Sequence, residues 1–209
     1  SLLAGLRGDY NMRLHRYYGI PRLHVKYMLT EKLALRLSGG SGFRTANVLT
    51  ENAQILASNR QIIQTETLKP EYSWNVGGNL TYLFKEKKSK KEGRLSLDVF
   101  KTIFRQQTVV DLDQSPQYVV LSNLHGASYA WYIQAEVYKE LVRNLDIRLA
   151  YKYNDVRMTQ HGQLMEKTLN ARHKALLNLS YETRNRHWKL DQTTQWVGPL
   201  RLPDYRQNP

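Results

Sequence analysis

Alternation with a period of two runs through most of this chain, and no other feature restricts its fold so strongly. PRLHVKYM at 21–28 sets Leu23, Val25 and Tyr27 on one face against Arg22, His24 and Lys26. Leu33, Leu35 and Leu37 alternate with Ala34, Arg36 and Ser38; further on, Trp74, Val76, Leu80, Tyr82 and Phe84 alternate with Asn75, Gly77, Asn79 and Thr81. Leu145, Ile147, Leu149, Tyr151 and Tyr153 oppose Asp146, Arg148, Ala150, Lys152 and Asn154, and Ala175, Leu177, Leu179 and Tyr181 oppose Lys174, Asn178 and Ser180. Segments near 2–10, 94–112, 129–140 and 188–197 bring the set to about nine. Residues two apart share a face of an extended strand, so each segment carries one apolar and one polar face.

Strand length and spacing then point to a membrane. Soluble strands cluster near ~5–6 residues, whereas most of these segments run 8 to 12, close to the ~9–11 that cross a bilayer at a tilt. The connections alternate too. Residues 11–20, 45–73, 113–128 and 157–170 are long, while 29–32, 141–144 and 183–187 are tight, with 85–94 intermediate. Long loops at one end and short turns at the other mark outer-membrane barrels. The apolar phase places aromatics at its ends (Trp74, Tyr82, Phe84, Tyr151, Tyr153, Trp188, Trp196), where rings favour the headgroup level. The expected fold is all-β: a transmembrane antiparallel up-and-down β-barrel. The alternative is a soluble β-sandwich, which would turn the same apolar face into a core.

Composition removes several other classes. No window approaches eighteen consecutive apolar residues, so no membrane-spanning helix is expected. The chain has no Cys, which excludes disulfides and thiolate metal sites. SLLAGLRGDY at the start lacks a basic region ahead of an apolar one, so an export signal is expected upstream. The net charge of +13 invites a nucleic-acid reading. Its densest stretch, 85–94, has five Lys and one Arg against two Glu, a net +4, and the remainder is spread singly between apolar neighbours. A nucleic-acid surface would gather it on one element, so no nucleic-acid partner is expected. The six His are scattered without ligand spacing, and no nucleophile motif surrounds any Ser. No enzyme activity, cofactor or metal is expected.

Four local features accompany the pattern. The phase of Leu95, Leu97 and Val99 continues to Lys101, which in lipid costs ~2–4 kcal/mol near the midplane. A bulge switching the outward phase to Phe100 and Phe104 would relieve it. In ANVLTENAQILASNR, Leu49, Ala53 and Leu56 recur at helical spacing behind Asn47, a capping residue, predicting a short helix over the barrel mouth. Gly39, Gly40 and Gly42 leave room for bending and for close approach of another backbone. Arg44 and Glu71 flank the longest loop and could pair across its ends; the alternative is a solvated Arg and an unpaired Glu.

GGSGFRTANVLTEN (39–52) followed by TLKPEYSWNVG (67–77) resembles the central barrel region of TonB-dependent receptors. RLSLDVFKTIFRQQTVVDLD, SNLHGASYAWYIQAEV, LDIRLAYKYNDV, ARHKALLNLSYET and TQWVGPLRLP follow in order, so the similarity spans essentially the whole chain. Ala46 stands where the family often has Pro, and Gly77 or Gly78 where a Glu is usual.

The resemblance implies nine strands from the C-terminal half of a 22-stranded barrel in the outer membrane of a Gram-negative bacterium. Residues 1–209 would form a partial barrel domain truncated at both ends, without plug or last strands. It implies import of a scarce, bulky nutrient (an iron chelate, haem, cobalamin or a glycan), with a periplasmic TonB partner acting through the plug. Outer-membrane lipid and lipopolysaccharide are further partners. Candidate loop contacts to a small-molecule or oligosaccharide ligand are Tyr17, Tyr18, Arg44, Asn52 and His125. Asp98, Glu136, Arg148 and Lys152 are the candidate plug-facing residues of the lumen. A passive porin, an adhesive barrel and a secreted carbohydrate-binding sandwich are the alternatives. Expressed alone, residues 1–209 should aggregate, because an open set of strands leaves two unpaired edges and an apolar face. Size-exclusion chromatography and melting check this, and a soluble, cooperatively melting monomer contradicts it.

Overall fold

In the computed structural model, residues 1–12, 15–45, 47–51, 53, 57–85 and 92–203 are described. In chain order they form β1 (Leu2–Asn11), β2 (Arg16–Met28), β3 (Leu33–Arg44), α1 (Val48–Glu51), β4 (Gln61–Gln64), β5 (Glu71–Phe84), β6 (Gly93–Gln106), β7 (Thr108–Asp111) and β8 (Tyr118–Asn123). The series ends with β9 (Ser128–Val142), β10 (Leu145–Gln160), β11 (Gln163–Glu166), β12 (His173–Glu182) and β13 (Lys189–Val197). One open antiparallel sheet runs β1-β2-β3-β5-β6-β9-β10-β12-β13, with β11 added beside β10. These nine long strands are those the alternation marks out. They form a single sheet whose neighbours follow chain order, not the two packed sheets of a sandwich.

The register carries the alternation across the sheet. Leu35, Leu80, Leu97, Ala135, Tyr151, Ala175 and Trp196 form one continuous cross-strand row. Directly opposed residues share a face, so the apolar phases of separate strands merge into one surface. Leu23, Leu37, Val76, Leu97, Leu149 and Trp196 on it are all exposed. The short turns are locally capped. Asn144 adopts φ 69° between β9 and β10, a conformation Asn tolerates, and its side chain donates to the Glu182 carbonyl at 2.8 Å. Thr30 Oγ1 accepts the Leu33 amide at 3.0 Å, and Thr183 Oγ1 accepts the Trp188 amide at 3.1 Å.

The aromatic rim measures the strand tilt. At the long-loop end, the last aromatics of the apolar phase are Phe43 on β3, Tyr72 on β5, Tyr129 and Trp131 on β9, Tyr153 on β10 and Trp196 on β13. Trp196 shares its row with Leu35, so Phe43 stands eight residues further along than Trp196, six strand spacings away. Eight residues span about 26 Å and six spacings about 29 Å, so the rim is level when strands tilt by roughly 42°. Transmembrane barrels tilt by ~35–45°.

Lys101 keeps the outward phase. It pairs with Val76 and Trp131, and the β6 bulge lies beyond Phe104, where the register shifts against Tyr72/Ser73. The bulge therefore leaves Phe100 and Phe104 on the polar face, in phase with Asp98 and Thr102. Lys101 escapes the midplane penalty by its height, two residues short of Ile103 at the rim.

Several connections differ from expectation. Residues 11–20 are no long loop: the β1–β2 ladder runs to Asn11↔Arg16, because Gly8 faces Gly19 and the Tyr10 and Tyr17 rings pack at 4.6 Å. Tyr17 and Tyr18 therefore belong to a strand. The expected strand 94–112 splits after Gln106, and β7 joins a second sheet of order β4-β8-β7. Likewise β10 continues to Gln160 and folds back as β11. Asn47 does cap α1, its Oδ1 accepting the Thr50 amide at 3.4 Å while Glu51 Oε1 accepts the Asn47 amide at 3.3 Å; Leu56 lies outside the described residues. Close backbone approach occurs at Gly40, where an added Cβ would lie 2.9 Å from the Pro21 carbonyl, whereas Gly42 has open space.

Leu149 lies four residues below Tyr153, deep in the apolar band. In the full-length protein Leu149→Lys should cost ~2–4 kcal/mol, measured by denaturant titration in lipid. Spin labels at Leu35, Leu149 and Leu179 should be quenched from the lipid phase.

Candidate functional site

Two regions of the polar face concentrate functional chemistry: the wall of the lumen and a cap built by the long loops. On the wall, Asp98, Gln134 and Lys152 share one row. Glu136, 6% exposed, accepts from Arg148 Nη2 at 2.7 Å and from Arg94 Nη2 at 3.1 Å. A buried carboxylate held by two guanidinium groups keeps its charge at low cost. Asp98 accepts from Asn79 Nδ2 at 2.8 Å, and Arg36 Nη1 donates to Asn79 Oδ1 at 3.2 Å. The Lys152 ammonium sits 4.7 Å from the centre of the Tyr132 ring. Facing Phe100, Gly77 has no room for a side chain: a Cβ there would meet the Val99 carbonyl at 2.2 Å. Asp98, Glu136, Arg148 and Lys152 thus lie together on one polar wall.

The cap joins two loops. β4, from the segment after β3, pairs in parallel with β8, from the segment after β6, and β8 pairs antiparallel with β7. Val119 and Leu121 form its core, with Ile62, Leu68, Val110 and Leu112 packed around them. Asn123 binds the other loop three times: its Oδ1 accepts the Lys69 amide at 2.8 Å, its Nδ2 donates to the Thr67 carbonyl at 3.0 Å, and its own amide donates to Glu66 Oε1 at 2.8 Å. His125 Nε2 also bonds Glu66 Oε1, at 2.9 Å. Further along, Asp111 meets His161 at 2.9 Å and Asp113 accepts Arg201 Nη1 at 3.0 Å, tying on the β10–β11 hairpin and the segment after β13.

Arg44 and Glu71 pair as directly opposed strand ends. Arg44 Nε donates to Glu71 Oε2 at 2.6 Å, and Arg44 Nη2 lies 3.0 Å from Glu51 Oε2. The other Glu71 oxygen accepts the Thr108 amide at 3.0 Å, so one carboxylate fixes both loops at the barrel mouth. Between wall and cap is a cavity of about 160 Å³ lined by Arg44, Glu71, Thr108, Gln160 and Lys167, among others. Thr108 Oγ1 and Gln160 Oε1, on residues 7% and 6% exposed, have no partner among the described residues. Such a cavity suits a small polar group able to donate and accept hydrogen bonds.

The candidate ligand contacts do not converge. Tyr17 packs on Tyr10, and Tyr18 stacks on Phe43 at 3.9 Å within 4° of parallel. His125 is engaged by Glu66 in the cap. Arg44 alone borders the cavity, and Asn52 lies outside the described residues. Sequence reasoning missed Thr108, Asp111, Asp113, Gln160 and Arg201. Only the Asp-x-Asp of 111–113 was visible as a signal, and its partner Arg201 is 88 residues away.

An open sheet of tilted strands, apolar outside and hydrogen-bonded inside, with tight turns below and folded loops above, is the wall of an outer-membrane β-barrel. The family described as TonB dependent receptor-like, beta-barrel matches residues 1–209, and the chain belongs to that family, a class of receptors and transporters of the outer membrane. Among solved structures, a point mutant of the ferric enterobactin receptor from Pseudomonas aeruginosa matches with a TM-score of 0.63 at 16% identity, over 94% of this chain. The chain spans 30% of that receptor's length. No curated protein matches.

Glu66 tests the cap. Hydrogen bonds from the Asn123 side chain and amide, then from His125, lower its pKa from 4.5 to about 2. A depressed carboxylate stabilises the fold above its ordinary pKa and loses that contribution as pH falls through the depressed value. The protection factor of the Asn123 amide, taken relative to its intrinsic exchange rate at each pH, should hold at pH 5 and fall towards pH 2. Glu66→Gln should remove that pH dependence.

Proposed function

We propose that the full-length protein containing this chain is an energised importer of a scarce, bulky nutrient, driven by TonB through a plug outside these residues. The family match across residues 1–209 carries this reading. A ferric siderophore leads among the candidate nutrients, ahead of haem, cobalamin or a glycan, since the solved neighbour is a ferric enterobactin receptor. Residues 1–209 supply a partial barrel wall and the outer loops. Glu136 between Arg94 and Arg148, with Asp98 and Lys152 beside it, would face the plug. These side chains present both signs of charge at fixed positions, which suits a surface that must hold a plug and release it.

On the outer side, the cavity at Arg44, Thr108 and Gln160 and the exposed ring of Tyr17 are the proposed ligand contacts, with Tyr18, Asn52 and His125 in supporting positions. The reading involves no chemical step and no resident cofactor; iron would pass as cargo. Cells carrying the full-length gene should take up labelled ferric catecholate under iron limitation, and uptake should vanish on deletion of TonB. Uptake that persists without TonB would make the protein a passive pore instead.

A further inference from the structure

The tight turns carry charge that neither the lumen wall nor the cap uses. Glu31 and Lys32 cancel between β2 and β3, whereas residues 85–92, between β5 and β6, hold five Lys against two Glu. Arg143 follows between β9 and β10, then Arg184 and Arg186 between β12 and β13, so these four connections reach a net +6 with His neutral. The connections at the opposite end, 12–15, 45–70, 107–127 and 161–172, sum to zero. In outer-membrane barrels the short turns are periplasmic and the long loops extracellular, so the excess faces the periplasm.

Two of these turns enclose a cavity of about 420 Å³. Arg143, Arg184, Arg186 and Lys189 line it, against Glu140, Asp146 and Glu182. Most of these charges are engaged: Glu140 Oε1 accepts the Asn144 amide at 3.1 Å, Glu182 lies 3.7 Å from Arg186, and Lys189 lies 3.6 Å from Asp191. Arg143 and Arg184, both exposed, have no partner among the described residues. Their frame is fixed. Asn144 and Arg186 hold left-handed turn conformations, φ 69° and 59°, and Asn144 Nδ2 ties one turn to the other through the Glu182 carbonyl at 2.8 Å. The cavity therefore presents two uncommitted guanidinium groups from a tied pair of turns.

We infer that Arg143 and Arg184 form a docking site for the carboxylate-bearing peptides of the cell wall, fastening this part of the barrel mouth to the layer beneath the outer membrane. A guanidinium fork matches a carboxylate with two parallel hydrogen bonds. Lipid headgroups do not reach the cavity. Asp146 opposes both Glu140 and Ser180, in phase with Arg148 and Lys152, so the cavity opens on the lumenal side. Its volume lies within the ~300–1,000 Å³ of small-ligand pockets, room for the end of a short peptide and not for a folded surface. The net +6 of the turns draws a polyanion towards that end over a longer range. The inference rests on the orientation of the barrel and not on which nutrient is imported.

Full-length protein in nanodiscs of neutral phospholipid, titrated with purified cell-wall sacculi and followed by co-sedimentation, tests the site. Wild type should sediment with the sacculi, and amidation of their carboxylates should largely abolish this. Arg143→Gln and Arg184→Gln should each weaken binding about fivefold, the upper end for an exposed ion pair. Lys32→Gln, on another tight turn, should leave it unchanged. Both arginines are exposed, so the variants should melt as wild type does. Arg143→Lys and Arg184→Lys, which keep the charge and lose the fork, should fall between and serve the comparison should the Gln forms fail to fold. Binding that ignores amidation or either arginine overturns the proposal, as does an equal loss with Lys32→Gln. Loss of binding in nanodiscs of anionic phospholipid would give the guanidinium groups to headgroups and overturn it as well. So would a wild type that never sediments, its cavity filled by the plug. Neither nutrient nor TonB enters the measurement, so its failure and the failure of TonB-driven uptake are told apart.

Discussion

Hydrocarbon offers no hydrogen-bond partner, and that constraint governs this architecture. Each backbone amide and carbonyl inside the bilayer must bond to a neighbouring strand, which keeps the strands extended and in register over their whole length. Extended geometry then sends successive side chains to opposite faces. One face meets lipid and the other water or protein, so each long strand repeats the same two-residue choice. The continuous row from Leu35 to Trp196 is the product of that choice made on seven strands at once.

The polar face solves a different problem. Its charged groups are held by partners: Glu136 between Arg94 and Arg148, Asp98 on Asn79, Lys152 over the Tyr132 ring. At the barrel mouth the same economy fixes the loops, where Glu71 binds Arg44 with one oxygen and the start of β7 with the other. Among the described residues, Val119 and Leu121 in the cap form a buried apolar cluster. A transmembrane wall buries its apolar surface in lipid, so a dry protein core forms only where loops leave the bilayer.

Most of the wall was legible in the sequence because alternation is local. Leu145 to Tyr153 and Ala175 to Tyr181 announce their faces without reference to any other strand, and the Arg44–Glu71 pair follows from strand ends that must meet. Lys101 showed the limit of that reading: its phase was visible, but its harmless position depends on tilt, a property of the assembled sheet. Tyr17 and Tyr18 were misplaced because Gly8 and Gly19 weaken the alternation where the ladder in fact continues. The cap was hidden for a stronger reason. β4 and β8 pair from segments more than fifty residues apart, and Asp113 with Arg201 spans a still longer interval. Nothing within a short window encodes such partners.

The parallel pairing of β4 with β8 makes the loop after β3 and the loop after β6 a single folded body rather than two independent ribbons. Here neither loop is exchangeable by itself: each supplies strands and core side chains that the other lacks. New ligand preferences would therefore have to arise by co-inheritance of both loops, or by changes at side chains that leave their shared apolar centre untouched.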